Sequence, residues 1–114
     1  MTNPIDIIMV NEGPSIYYDF NFRVVLESHL TYFRNNVTTK SQPIIPNDAY
    51  RFEGDLYGLL RRLGISSEYH WLIMRVNDFT SPQETTSELK SILVPDPSAV
   101  EKIRQLFMIT QVLQ

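Results

Sequence analysis

The chain has 114 residues, 43% hydrophobic and 11% aromatic, which is enough to bury one real core and excludes a disordered polymer. Its net charge of −3 leaves no basic excess to neutralise phosphates, so a general affinity for nucleic acid or anionic membranes is excluded. There are no cysteines, and with them go disulfides, thiolate metal sites and cysteine nucleophiles.

Ile5-Asp6-Ile7-Ile8-Met9-Val10 is rich in β-branched residues and predicts a strand or extended arm. Asp6 interrupts that run and no basic segment precedes it, so it does not read as a secretory signal. No apolar stretch approaches the ~20 residues needed to span a bilayer. Asn11-Glu12-Gly13-Pro14 signals a turn. Tyr18, Phe20, Phe22 and Val24 alternate with polar residues, which predicts extended chain to about Phe20. Phe22, Leu26, His29, Leu30 and Phe33 then lie at helical spacing, predicting a helix to about Arg34 that Asn35 and Asn36 end. Val37 to Pro43 is polar and proline-punctuated and reads as a connector.

The stretch from Asp48 to Asp96 reads as a small β-α-α-β module. Ala49-Tyr50-Arg51-Phe52 places its aromatics on alternate positions, as a half-buried strand requires. Gly54 can turn sharply and Asp55 has the short acceptor side chain of a helix cap. Leu56, Leu59, Leu60 and Leu63 give the first helix one apolar face, and Gly64 stops it. Ser66 and Ser67 are candidate caps for a second helix, on which Trp71, Leu72, Met74 and Val76 form a wide apolar surface. Ser91-Ile92-Leu93-Val94 reads as a strand ended by Pro95. Pro97 then suits the first turn of a C-terminal helix capped by Asp96, with Ser98 and Glu101 at capping-box spacing. Val100, Ile103, Leu106, Phe107, Thr110 and Leu113 share one face of it. The expected core gathers Leu56, Leu60, Trp71 and Val94.

No catalytic constellation stands out, and the chain does not read as an enzyme. His29 and His70 are isolated from any metal-ligand spacing, so no metal or cofactor is expected. Glu53 and Asp55 sit two apart across a helix start, where paired carboxylates rarely flank one bond. Arg61-Arg62 reads as a solvated helix face that can serve as a rim for an acidic partner.

In order and spacing, Gly54-Asp55, Leu56, Leu60, Gly64-Ile65, Asn77 and Leu93-Val94-Pro95 resemble a LysM domain, a β-α-α-β module of about 50 residues. The chain departs from sugar-binding members at Leu56, where they carry threonine, and at Glu88 to Ser91, where they carry Pro-Gly. Its loop from Phe79 to Leu89 is also long. Those departures, with Tyr69-His70-Trp71-Leu72-Ile73-Met74-Arg75-Val76-Asn77-Asp78, make it similar to the LysM-like wedge proteins of contractile-tail bacteriophage baseplates. The similarity covers roughly Phe22 to Pro82.

The resemblance implies an α+β fold: an N-terminal arm and helix over 1–46, a LysM-like domain over 47–96 and a C-terminal helix over 97–114. It implies a structural virion protein, assembled in the host cytoplasm, whose partners are other baseplate and tail subunits in repeated copies around the tail axis. Small molecules, nucleic acid and membranes are not expected partners. The alternative is a carbohydrate-binding LysM module for peptidoglycan N-acetylglucosamine, whose groove would lie between Glu53-Gly54-Asp55 and the loop after Asn77. The apolar ends exceed what a small module needs to close its core. Ile7, Ile8, Tyr17, Tyr18, Phe20, Phe22, Ile103, Phe107 and Leu113 are therefore the expected protein-interface residues.

Overall fold

The computed structural model describes residues 15–113, with side-chain surroundings through Thr110. The expected strand at Ile5 to Val10, with Ile7 and Ile8, lies outside the described residues. Where extended chain was expected, Ile16–Tyr18 forms a single 3-10 turn. The Asp19 carboxylate accepts the Phe22 N–H at 3.1 Å and starts α1, Phe20–Ser28. This cap decides the region, because it commits Phe20 onward to helix whatever the alternation of aromatics suggests.

A break at His29 separates α1 from α2, Leu30–Asn35. The Val25 carbonyl is bonded by the Ser28 hydroxyl at 2.7 Å and the His29 imidazole at 2.8 Å, while the His29 N–H turns to Leu26. Side chains here compete with the helical ladder and interrupt it. Asn36 ends α2 as expected, its side chain accepting from the Thr38 N–H and hydroxyl.

The sheet has two antiparallel strands, β1 (Lys40–Pro43) and β2 (Ser91–Val94), in register Lys40↔Val94 through Pro43↔Ser91. β1 thus falls in the stretch expected to be a connector, and the sheet spans the expected boundary at 46/47. The strand expected at Ala49 to Phe52 is instead helical: α3 runs Pro46–Arg51, with Phe52 at its C-cap. Pro46 in the first turn, with φ already set for a helix, starts it. Ala49 is buried but Tyr50 is 75% exposed, so these residues do not line a sheet face.

α4, Leu56–Arg62, follows the expectation closely. The Asp55 carboxylate accepts the Gly58 N–H at 3.0 Å. A Cβ on Gly58 would fall on that carboxylate, which keeps the position small. At the far end Ile65 N–H bonds Leu60 O, Gly64 N–H bonds Arg61 O, and Gly64 has φ +81°. Nothing lies within 4 Å of a Cβ there, so Gly64→Ala should lose about 1 kcal/mol by backbone strain alone, read from the urea midpoint. An unchanged midpoint would mean the motif is not what ends α4.

Neither Ser66 nor Ser67 caps the next helix with its side chain; a 3-10 turn, Ser67–Tyr69, leads into α5, His70–Val76. α5 ends in the same motif as α4, with Phe79 N–H on Met74 O and Asp78 at φ +66°. Arg34 reaches across from α2 to hold this end, donating to the Val76 and Arg75 carbonyls and the Asp78 carboxylate at 2.8, 3.0 and 2.6 Å. Asn77 ties α5 to the sheet. Its amide donates to Ile73 O and Leu93 O, and its oxygen accepts the Leu93 N–H at 2.7 Å.

α6, Pro97–Leu113, begins where expected, with the Asp96 carboxylate accepting the Ser98 N–H. The Ser98–Glu101 capping box does not form, because Glu101 accepts instead from the Tyr17 hydroxyl at 2.6 Å and Arg104 at 2.7 Å. α5 lies between two cores. On one side Leu72 and Val76 meet Ile16, Tyr17, Phe22, Leu26, Leu30, Phe33, Val100 and Ile103. On the other Ile73 and Met74 meet Ile44, Ala49, Leu56, Leu59, Leu60 and Ile92. The N-terminal helices and α6 are therefore one half of the packing, not appendages.

Candidate protein-binding surface

Four of the expected interface residues are committed to the interior. Tyr17 is buried, its ring edge-on to Phe22 at 5.4 Å and to Tyr69 at 5.3 Å. Burial, then the hydrogen bond to Glu101, pushes its hydroxyl far above the ordinary phenol range. Phe22 and Ile103 are buried, and Phe107 is half-buried against Phe22 at 5.2 Å. The helical turn at Asp19 explains the correction, since it rotates Phe22 away from Phe20 and into the core. The side chain of Leu113 lies outside the described ones.

Tyr18 and Phe20 remain at the surface, 57% and 78% exposed, joined one turn along α1 by Val24 at 51%. Of the expected core residues, Leu56 and Leu60 are fully buried, whereas Val94 and Trp71 are half-buried and packed on that cluster's edge. Trp71 sits where the two cores meet and keeps part of its ring open. Arg23 covers it, with the guanidinium carbon 4.9 Å from the Trp71 ring centre and 5.6 Å from that of Tyr18. The Arg23 Nε donates to the Tyr17 carbonyl at 3.0 Å, which fixes the side chain.

Two cavities open on either side of this arginine. One, of about 520 Å³, is lined by Phe20, Arg23, Val24, Glu27, Ser28 and Trp71. The other, of about 160 Å³, is bordered by Tyr18, Arg23, Tyr57, Arg61, Glu68 and Trp71 among others. Rigid helices thus present an aromatic, aliphatic and guanidinium surface of the composition that dominates protein interfaces. Arg23 and Val24 were not candidates in the sequence. The available signal was that Phe20 and Val24 are four apart and off the Phe22–Leu26 face, giving α1 a second apolar stripe.

Where the carbohydrate-binding alternative would place its groove, the chain packs against itself. Gly54 N–H donates to Thr85 O at 2.9 Å, and Ser87 N–H donates to the Glu53 carboxylate at 2.9 Å. Thr85 is buried, and the Gln83 carbonyl lies 3.8 Å from where a Gly54 Cβ would stand. The long loop from Phe79 to Leu89 therefore lies against the Gly54 turn. Glu53 holds that loop and Asp55 caps α4, so the two carboxylates have separate structural roles. His29 and His70 each bond a backbone carbonyl, and no three His, Asp or Glu side chains gather to hold a metal among the described residues. No helix among them is long and apolar enough to cross a membrane. Comparison with protein-family models, curated proteins and solved structures finds no match to this chain.

Proposed function

We propose that this chain is a structural, non-enzymatic subunit of a contractile-tail bacteriophage baseplate, a wedge component that joins neighbouring baseplate proteins in the virion. The setting rests on the resemblance carried by residues 22–82, and the mode of action on the surface around Arg23. In the LysM-like reading, the Gly54-Asp55 turn, α4, Gly64, α5, Asn77 and β2 are taken as the module and Lys40–Pro43 as its first strand, with α3 as an additional helix between that strand and the turn.

The observation that carries the binding reading is Arg23 held between Tyr18 and Trp71 beside exposed Phe20 and Val24. Large exposed apolar groups gathered on a small protein mark a partner surface. The carbohydrate alternative is disfavoured by the loop that packs where its groove would lie.

The test is a Phe20→Glu, Val24→Glu double variant introduced into the phage. Both side chains are exposed, so the unfolding midpoint should stay near that of the parent, while mass spectrometry of purified particles should find the subunit depleted at least about tenfold. Particles containing the variant at parental stoichiometry would overturn the reading.

A further inference from the structure

We propose that the partner segment recognised here is an acidic, apolar peptide whose carboxylate docks on Arg23 and Arg61 while its apolar side chains fill the cavity at Phe20, Val24 and Trp71. This rests on the reading of the chain as a binding subunit and specifies its partner's chemistry. Among the described residues, Arg34, Arg62, Arg75 and Arg104 have carboxylates within ion-pair distance; Arg23, Arg51 and Arg61 have none, and of these three only Arg23 and Arg61 border a common cavity. The Arg23 Nε is occupied by the Tyr17 carbonyl, and its two Nη groups have no acceptor among the described residues. Stacking on two rings holds the guanidinium in place before any ligand arrives, so little side-chain freedom is lost on binding. A guanidinium so held offers paired N–H donors that match the two oxygens of a carboxylate. Arg61 borders the same cavity from α4 and adds a second positive charge.

The cavity at Phe20 and Val24 shares Arg23 and Trp71 with the one that Arg61 borders, so one continuous segment can engage both. The ligand therefore combines bulky apolar side chains with one carboxylate close by. A polyanion fits poorly. Glu27 is already paired with Arg75, Glu68 borders the cavity beside the two arginines, and the chain is net negative. A single carboxylate can therefore sit between Arg23 and Arg61, whereas a run of phosphates would meet Glu68.

The experiment titrates the full chain with two synthetic amphipathic peptides identical but for one central residue, Asp or Lys, and with single-stranded oligothymidylate. The Asp peptide should bind at least about tenfold tighter than the Lys peptide and shift the Trp71 indole resonance, and Arg23→Gln should erase that preference. Equal affinity for both peptides, or binding of neither, overturns the proposal, as does oligothymidylate binding as tightly as the Asp peptide. The wider reading is judged separately in particles. If the Phe20→Glu, Val24→Glu variant is excluded while Arg23→Gln assembles normally, the docking surface stands and its acidic ligand does not.

Discussion

A chain ending at Ala99 should fail to unfold cooperatively, because it loses one wall of the first core and not a peripheral tail. Val100 and Ile103 are 1% and 9% exposed and pack with Phe22, Leu26, Leu72 and Val76, and Phe107 lies on the Phe22 ring. At about 1.5–3 kcal/mol for a fully buried apolar side chain and about half that for half-buried Phe107, these three residues contribute about 4–8 kcal/mol. Their removal also leaves the buried Tyr17 hydroxyl without Glu101. Small domains have total stabilities of about 5–15 kcal/mol, so the truncation takes most or all of it. Circular dichroism should show a broad or absent thermal transition, and amide resonances should collapse. A sharp transition near the full-length midpoint would show that the core closes without α6. The expectation from sequence places the apolar face of this helix, with Ile103, Phe107 and Leu113, outside the core and against a partner. The burial of Val100 and Ile103 replaces it.

Asn77→Ala should cost about 2–4 kcal/mol, far more than its half-buried position suggests. Leu93 pairs with Ser41 in β1, yet its own N–H and C=O are both taken by the Asn77 side chain. In an antiparallel pair such groups point away from the partner strand. The amide of Asn77 therefore acts as one rung of a third strand on the free edge of β2, and a further bond to Ile73 O anchors it on α5. Alanine removes these bonds and leaves two strand groups unsatisfied, each at about 1–3 kcal/mol when buried and less where water reaches. Asn77→Asp keeps the acceptor for the Leu93 N–H but sets an anionic oxygen against the Ile73 and Leu93 carbonyls, and should lose at least as much as Asn77→Ala. Chemical denaturation gives the ranking, and an Asn77→Ala loss below about 0.5 kcal/mol would mean water replaces the bridge.

How much was legible in the sequence follows from where local chemistry decided the outcome. Asp55, Gly64 and Pro97 act on their own neighbours, and α4, its termination and the start of α6 were placed from them alone. β1 was not legible because Lys40-Ser41-Gln42-Pro43 has no apolar alternation. A two-stranded sheet that rests on the core mainly through Ile44 and Ile92 does not require one. At the candidate surface the difference is one of period. Read as a strand, Tyr18, Phe20 and Phe22 share a face, but on a helix of about 100° per residue Phe22 turns roughly 200° from Phe20. Tyr18 and Phe20 stay outside and Phe22 goes in. Trp71 packs on both cores but is only half-buried, for another reason. Its neighbours Leu72, Ile73 and Met74 are buried on two different sides of α5, and only the tertiary arrangement shows that Trp71 lies at the seam.

The position of α5 between the two cores has a further consequence for how the molecule comes apart. Leu72 and Val76 belong to one half, Ile73 and Met74 to the other, and the four lie within five consecutive residues. Neither half can open sub-globally without stripping a face from this one helix. The hydrogen-bonded backbone amides in the second half of α5 should therefore be among the slowest in the molecule to exchange with solvent, at rates close to those set by global unfolding. Damage at either end of the chain, in α1 or in β2, is felt as loss of the same cooperative unit.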